Sequence, residues 1–163
     1  MKKITFLALL SFLTLSSIAQ NKFGHINAQE ILLLMPETKK AERELDAFSK
    51  SLEAQLGSLN AELEQSFQKY QANEATYTDL VKQDKEAEIN GLQQRIQTFQ
   101  QNAQQSYQNK EQELLTPINK KLQTAIKDVA TEGNYTYIFA DGVLHYKDDK
   151  NDVSALVKKK LGL

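Results

Sequence analysis

The stretch AERELDAFSKSLEAQLGSLNAELEQSFQKY, residues 41–70, decides the fold. Its apolar side chains follow one another at spacings of three or four residues and repeat every eleven, at Ala41, Leu45, Phe48, Leu52, Leu56, Leu59, Leu63, Phe67 and Tyr70. Such a repeat gives about 3.67 residues per helical turn, which is typical of a nearly straight or slightly right-handed coil. The pattern predicts one amphipathic helix from Glu37 to about Gln71, roughly 50 Å long at 1.5 Å per residue.

A second helix is predicted from about Asp84 to Thr131, and it returns along the first. Lys110 stands where the apolar stripe of this second helix would otherwise have an apolar residue, so the seam is weakened there. Pro117 is expected to bend the helix, because the proline ring clashes with a carbonyl of the preceding turn. Residues 72–83 lack a stripe and form the predicted tip of an antiparallel hairpin. The Gln-rich residues 93–112 fit the uncharged outer face, with a prion-like segment as the alternative. The stripe consists of Ile89, Leu92, Ile96, Phe99, Ala103, Tyr107, Leu114, Ile118, Leu122, Ile126 and Val129.

Residues 1–19 are typical of a cleaved secretory signal peptide. Lys2 and Lys3 precede the apolar run Ile4–Leu15, and Ser17 and Ala19 fit a signal-peptidase site with cleavage after Ala19. A retained membrane anchor is the alternative, but the apolar run is short for a bilayer span. The chain contains no Cys, so neither a lipid-modified cysteine nor a disulfide is available. The export signal predicts a secreted protein.

The residues just after the signal peptide predict a compact segment. Lys22–Ile26 is typical of a short strand, and a helix is predicted over Ala28–Met35 before Pro36. Asn27 and Glu30 have the spacing of a capping box, in which the Asn side chain accepts the Glu30 amide and the Glu side chain returns to the Asn27 amide.

The C-terminal residues are rich in β-branched and aromatic side chains. Gly133-Asn134 is predicted to cap the second long helix. Tyr135–Ala140 and Val143–Tyr146 predict a β-hairpin about Asp141-Gly142, a pair that suits a two-residue turn with positive φ. A last helix is predicted over Val153–Leu161, with Lys residues in its final turn.

The predicted fold class is therefore α+β, mainly α. Residues 20–36 and 132–163 form a small body of a short N-terminal strand and a C-terminal β-hairpin. The helical hairpin of residues 37–131 is inserted between them. A body of this size buries little apolar surface by itself, so we expect association with further copies.

No pattern in the sequence predicts catalysis, a cofactor or a metal. His25 and His145 both lie in predicted strands and would be neighbours if these strands paired, but a zinc site needs three or four convergent ligands. The carboxylates alternate with Lys on helix faces, which indicates solvent-exposed pairing. Cleavage after Ala19 leaves a net charge of −3, which argues against nucleic-acid binding. We expect a protein that is not an enzyme.

Aromatic and apolar side chains cluster toward the distal half of the predicted hairpin. Phe67 and Phe99 fit the packed seam between the helices. The tyrosines Tyr70, Tyr77 and Tyr107 each combine an apolar ring with a polar tip, and are suited to an adaptable contact surface. Leu80 and Val81 remain apolar within the predicted tip.

The chain resembles the Skp/OmpH family of periplasmic outer-membrane-protein chaperones over essentially all of its predicted mature length. The segments that carry the resemblance are FGHINAQEILLLMPETKKAERELDAF (23–48), LLTPINKKLQTAIKDVATEGNYTYIFADG (114–142) and DVSALVKKKLGL (152–163). The resemblance implies a homotrimer with a central β body. It also implies three helical hairpins around a cavity that holds unfolded outer-membrane proteins without ATP.

The resemblance carries over no individual client-contact residue, because the family's cavity is defined by its shape and not by a fixed motif. The expected client-binding residues are chosen for their chemistry and position in the hairpin, and are Tyr70, Tyr77, Leu80, Val81 and Tyr107. The expected oligomerisation body contains Phe23, Ile26, Ile118, Leu122, Ile138, Phe139, Val143 and Leu144.

The hairpin departs from the basic members of the family, because residues 37–131 carry twelve Lys/Arg against fifteen Asp/Glu. This balance argues against electrostatic capture of acidic clients and against a lipopolysaccharide-binding patch. Peripheral association with the envelope membrane stays open. The alternative function is a non-catalytic structural or adaptor coiled coil that bridges envelope components through its tip.

Overall fold

The structure is a computed structural model that describes residues 21–163. The predicted signal peptide and its cleavage after Ala19 lie outside these residues. The element order is β1 (Phe23–Ile26), α1 (Ala28–Leu34), α2 (Pro36–Asn73), α3 (Asp79–Glu132), β2 (Tyr137–Ala140) and α4 (Ser154–Leu161). Short 3₁₀ turns lie at Glu74–Thr76, Asp141–Val143 and Asp149–Asn151. The mainly helical fold class with a small β body is confirmed.

The two long helices are formed by the predicted apolar stripes. α2 has 38 residues and starts at Pro36, where a missing backbone N–H costs nothing. Every member of its stripe is buried or half-buried except Phe67, which is exposed although the sequence predicted it in the seam. α3 has 54 residues, starts at Asp79 rather than near Asp84, and continues through Pro117 without interruption. All of its stripe positions are buried or half-buried, including Phe99 and Lys110.

Three polar contacts establish that α2 and α3 run antiparallel. The Tyr70 hydroxyl donates to the Glu86 carboxylate at 2.5 Å, and an Arg95 nitrogen lies 3.5 Å from a Glu62 carboxylate oxygen. The third contact is the ion pair between Lys121 and Glu37. Residues late in α2 therefore meet residues early in α3, as in a hairpin. Its tip is shorter than predicted, since only 74–78 lie between the helices.

The start of α1 is capped by Asn27, largely as predicted. The Asn27 side-chain oxygen accepts the Glu30 amide at 3.0 Å. The reciprocal contact differs, because Glu30 accepts from the Asn27 side-chain amide and the Asn27 backbone amide donates to Ser154 Oγ at 3.1 Å. The cap therefore links the start of α1 to the start of α4.

The end of α3 is the predicted cap at Gly133-Asn134. Asn134 takes the left-handed conformation with φ 53°, and the Tyr135 amide donates to the Ala130 carbonyl at 2.9 Å. These are features of a Schellman motif, in which a residue of positive φ ends the helix. The chain then turns into β2.

The predicted C-terminal β-hairpin does not form. β2 pairs instead with β1, in parallel, in the register Phe23↔Tyr137 to Ile26↔Ala140. A type I′ hairpin turn needs positive φ at both central residues, but the 3₁₀ turn at Asp141–Val143 gives Gly142 no positive φ. In the described part of the chain, the segment of residues 143–146 belongs to no strand. Val143, Leu144 and His145 therefore lie outside the sheet.

The chain divides into two compact units, one of 32–122 and the other of the described residues up to Ile31 together with 123–163. The first unit contains buried Met35, Ala41, Leu59, Leu92, Ile96, Ile118 and Leu122. The second contains buried Ile26, Ile31, Ala125, Val129, Val153 and Val157. Among the described residues, no helix is long and apolar enough to span a membrane.

Candidate functional site

The turn at 74–78 and the adjoining ends of α2 and α3, together called the tip from here on, bring together four of the five predicted client-binding residues. The Tyr70 and Tyr77 rings lie 6.3 Å apart, and both side chains are half-buried. The hydrogen bond that Tyr70 donates to Glu86 raises the pKa of Tyr70 to about 12, so this hydroxyl keeps its proton at neutral pH. Leu80 is 76% exposed and Val81 is also exposed, in the first turn of α3. The tip thus has a half-buried tyrosine pair beside exposed apolar side chains.

Tyr107, the fifth predicted residue, is separated from the tip. It lies in the α3 stripe and is half-buried, roughly 40 Å along the helix from Val81 at 1.5 Å per residue. The structure adds exposed Phe67 to the apolar side chains of the distal hairpin. Sequence reasoning missed it because a stripe position normally packs in the seam.

The distal hairpin is also acidic. Residues 62–88 carry seven Asp/Glu against three Lys. One of these lysines, Lys85, pairs with Glu88 at 2.7 Å. The exposed apolar side chains of this region are therefore surrounded by net negative charge.

A second exposed apolar surface lies on the two-stranded sheet. The rings of Phe23, Tyr137 and Phe139 form one cluster, with centroids 6.0 Å apart for Phe23–Tyr137 and for Tyr137–Phe139. All three are exposed, Tyr137 by 60%. We call these three residues the aromatic face. Tyr137 was not among the residues predicted for the oligomerisation body, because only the parallel pairing of β2 with β1 places Tyr137 beside Phe23.

The other predicted body residues occupy different environments. Ile26 is buried, and Ile138 is half-buried in the sheet beside Gly24. Val143 is exposed and Leu144 half-buried, both outside the sheet. Ile118 and Leu122 are buried in the unit of residues 32–122. Only Phe23 and Phe139 among the eight therefore belong to the aromatic face.

The two histidines do not lie in paired strands. His25 lies buried in β1, with Nδ1 2.8 Å from Asp141 Oδ1 and Nε2 3.0 Å from the Asp148 carbonyl oxygen. His145 is exposed and lies outside the strands. Within residues 21–163, no group of three or more His, Cys, Asp or Glu side chains is arranged to hold a metal ion.

The family profile described as "Outer membrane protein (OmpH-like)" matches residues 22–161. The chain belongs to the OmpH-like family. Two curated relatives are both named "Chaperone protein Skp". The protein from Yersinia enterocolitica is 24% identical over 149 residues, which is 90% of this chain and 89% of the relative. That from Pectobacterium atrosepticum is 23% identical over 143 residues, 88% of this chain and 87% of the relative.

The fold also matches a solved structure. The crystal structure described as an OmpH-like outer membrane chaperone from Caulobacter crescentus aligns with a TM-score of 0.78 at 15% identity. The alignment covers 88% of this chain and 85% of the other. At this identity the likeness shows a shared fold.

Proposed function

We propose that this protein is an ATP-independent holding chaperone of the periplasm, which keeps unfolded outer-membrane or other exported proteins soluble. The observation that carries the proposal is membership of the OmpH-like family over residues 22–161, with relatives named as Skp chaperones. Holding needs no chemical step, because binding an unfolded client lowers the concentration of the free aggregation-prone form by mass action.

The hairpin supplies the proposed client-binding surface. Leu80, Val81 and Phe67 expose apolar side chains that an unfolded segment can cover. The tyrosine pair Tyr70 and Tyr77 offers rings that contact apolar and polar groups alike. Tyr107 is a separate proposed contact, further along α3. Contacts of this kind are individually weak and accept many sequences, as a holding chaperone requires.

The aromatic face is the proposed site of self-association, in a homotrimer whose hairpins hold the client between them. Three aromatic rings exposed together on a two-stranded sheet are unusual for a chain that stays alone in water. A two-stranded sheet is also marginal without further packing. Burial of Phe23, Tyr137 and Phe139 against other copies would remove both problems.

The test of the holding function is an aggregation assay. A urea-unfolded outer-membrane protein is diluted into buffer without nucleotide, and light scattering is followed with increasing amounts of this protein. Scattering should fall to a small fraction of the unprotected signal at a stoichiometric amount of trimer. Unchanged scattering at that ratio would contradict the proposal.

The contribution of the tip is tested with a matched pair of variants. Leu80→Gln/Val81→Gln removes exposed apolar surface, and Gln83→Ala/Ala87→Gln changes exposed positions of the same helix without removing a large apolar side chain. We expect the first variant to need several times more protein for the same protection and the second to behave as wild type. Equal activity of both variants would remove the tip from the binding surface.

The adaptor alternative predicts a different result for the same region. Replacement of residues 74–78 with a neutral turn should weaken a chaperone only partly, since Tyr107 and the helix surfaces remain. An adaptor would lose its one defined partner completely. Pull-down of one stoichiometric partner that disappears on this replacement, together with no effect on aggregation, would favour the adaptor.

A further inference from the structure

His25 is the buried centre of a polar cluster in the small β body. It lies in β1 and is 3% exposed. Its ring reaches Asp141, directly after β2, and the Asp148 carbonyl. Its backbone carbonyl accepts the Val153 amide at 2.9 Å, and the residue forms a parallel bridge with Asp152. One residue therefore contacts the segment of residues 141–153 at its start, its middle and its end.

The ring geometry requires a charged imidazole. Nδ1 lies 2.8 Å from a carboxylate oxygen of Asp141, and Nε2 lies 3.0 Å from the carbonyl oxygen of Asp148. An ionised carboxylate and a carbonyl can only accept hydrogen bonds, so each ring nitrogen must donate one. A neutral imidazole has only one N–H, whereas the protonated ring has two. Loss of the proton would leave a nitrogen lone pair facing one of these oxygens at hydrogen-bond distance, and that repulsion separates them.

The charges around the ring favour protonation. Burial lowers the pKa of His25, but the bonds to the Asp148 carbonyl and Asp141, with the negative charges of Asp141 and Asp152, raise it above its ordinary value. Lys147 faces Asp141 from the other side, and its hydrogen bond, with that of His25, holds the pKa of Asp141 below its usual range. Asp149 also acts on Lys147. β2 itself, residues 137–140, brings no charged side chain.

We propose that protonated His25 is a charged clasp that fastens the segment of residues 141–153 to β1, and that this segment is released when the imidazole loses its proton. The clasp also adjoins the aromatic face, because Phe139 is the cross-strand partner of His25. Release therefore loosens the border of that face. The clasp belongs to the fold of the body, and it holds or fails whether or not the protein binds clients.

The direction of the pH dependence follows from the raised pKa. A histidine whose pKa is higher in the folded chain than in the unfolded chain stabilises the fold fully below the unfolded value, about 6.5. This stabilisation is lost as the pH rises through the folded value. The segment should therefore be held fully below about pH 6.5 and released as the pH rises through the raised pKa of His25. Protonation of Asp141 would also open the clasp, at strongly acidic pH.

The experiment measures His25 and the segment in the same purified protein. NMR of the imidazole carbons between pH 5 and 10 follows both histidines, and His145→Gln assigns the His25 signal by removing the other one. Hydrogen exchange with mass spectrometry follows the amides of residues 147–153, corrected for the intrinsic pH dependence of exchange. We expect His25 to titrate above 6.5, and the protection factor of these amides to fall at least about tenfold over the same pH range.

A matched pair of carboxylate variants separates the clasp from general effects of charge. Asp141→Asn should lower the titration midpoint of His25 by about one pH unit, because it removes the carboxylate that favours the charged ring. Protection of residues 147–153 should then be lost at correspondingly lower pH. Asp149→Asn removes the same charge from an exposed side chain and should leave the midpoint nearly unchanged. A His25 midpoint at or below 6.5, or protection that stays constant through the His25 titration, would overturn the proposal.

Discussion

Gly24 lies where β1 comes closest to neighbouring side chains. A Cβ at this position would lie 3.0 Å from Val153 Cγ1 and 3.1 Å from the Tyr135 ring. We predict that Gly24→Ala lowers the free energy of unfolding by about 1–3 kcal/mol, the usual cost of overpacking. Urea unfolding at one fixed chain concentration measures this change.

Gly57→Ala is the control, because a Cβ at Gly57 would have no neighbour within 4 Å. Gly57 lies inside α2, where alanine is the better helix former, so this variant should gain roughly 0.5–1 kcal/mol. The two substitutions are chemically identical and are predicted to have opposite signs. A loss of stability in both would show that the close approach at Gly24 is not what decides the effect.

At the residue scale, the sequence predicted features whose partners lie nearby in the chain. Asn27 and Asn134 were identified as caps because each bonds to groups within a few residues. His25 is different, since its partner Asp141 lies 116 residues away along the chain. Asp141-Gly142 suited a hairpin turn by local preference, but the ion pairs of Asp141 with His25 and Lys147 accompany a different local structure. Contacts of this range follow only from the tertiary fold.

At the scale of the elements, Lys110 is the one charged side chain in the stripe that forms the inner face of α3. Its side chain is 30% exposed, and its ammonium group pairs with Glu113 at 2.9 Å. Lys110→Leu should raise the free energy of unfolding by roughly 1 kcal/mol, because it continues the apolar stripe and an exposed ion pair contributes little. Urea unfolding, with hydrogen exchange across residues 100–120, measures the gain and locates it.

The matched control for Lys110→Leu is Glu111→Leu, which places the same side chain on the exposed face of the same turn. It should change the stability by no more than a few tenths of a kcal/mol. Equal gains from both variants would mean that added hydrophobicity, and not the stripe, is responsible.

The long helices were predictable because their signal is repeated many times. Eight of the nine stripe positions in α2 are buried or half-buried, so the exposure of Phe67 does not alter the helix. The two strands each have four residues, and no repetition specifies their partner. The length of the turn was overestimated as residues 72–83, because the first residues of α3 do not continue the apolar stripe. The elements that were predicted correctly are thus those that many sequence positions specify independently.

For the whole molecule, the proposed self-association leads to a direct prediction. Phe139→Ser removes one ring of the aromatic face and should shift the native mass from trimer toward monomer at micromolar concentration. Tyr146→Ser is the matched control, because Tyr146 is 85% exposed and no ring contact is found for it among the described residues. Sedimentation velocity of the two variants and wild type measures the mass.

A wild-type protein that sediments as a monomer at all accessible concentrations would contradict the trimer itself. A Phe139→Ser variant with wild-type mass would place the interface elsewhere on the chain. Other exposed apolar side chains of the body would then be examined, namely Val143 after β2, Leu156 in α4 and Leu163 after α4.

The parallel pairing of β1 with β2 also sets the order in which the chain can fold. Closing a loop of more than a hundred residues costs conformational entropy that grows as about (3/2)RT ln n, before any contact of the sheet is gained. The turn at 74–78 joins its helices through five residues, so contacts near the tip close far shorter loops. Zipping of α2 against α3 from the tip then shortens the remaining loop. β1 is synthesised before β2 and finds its partner last, so its strand edge stays unpaired until nearly all of the sequence is available.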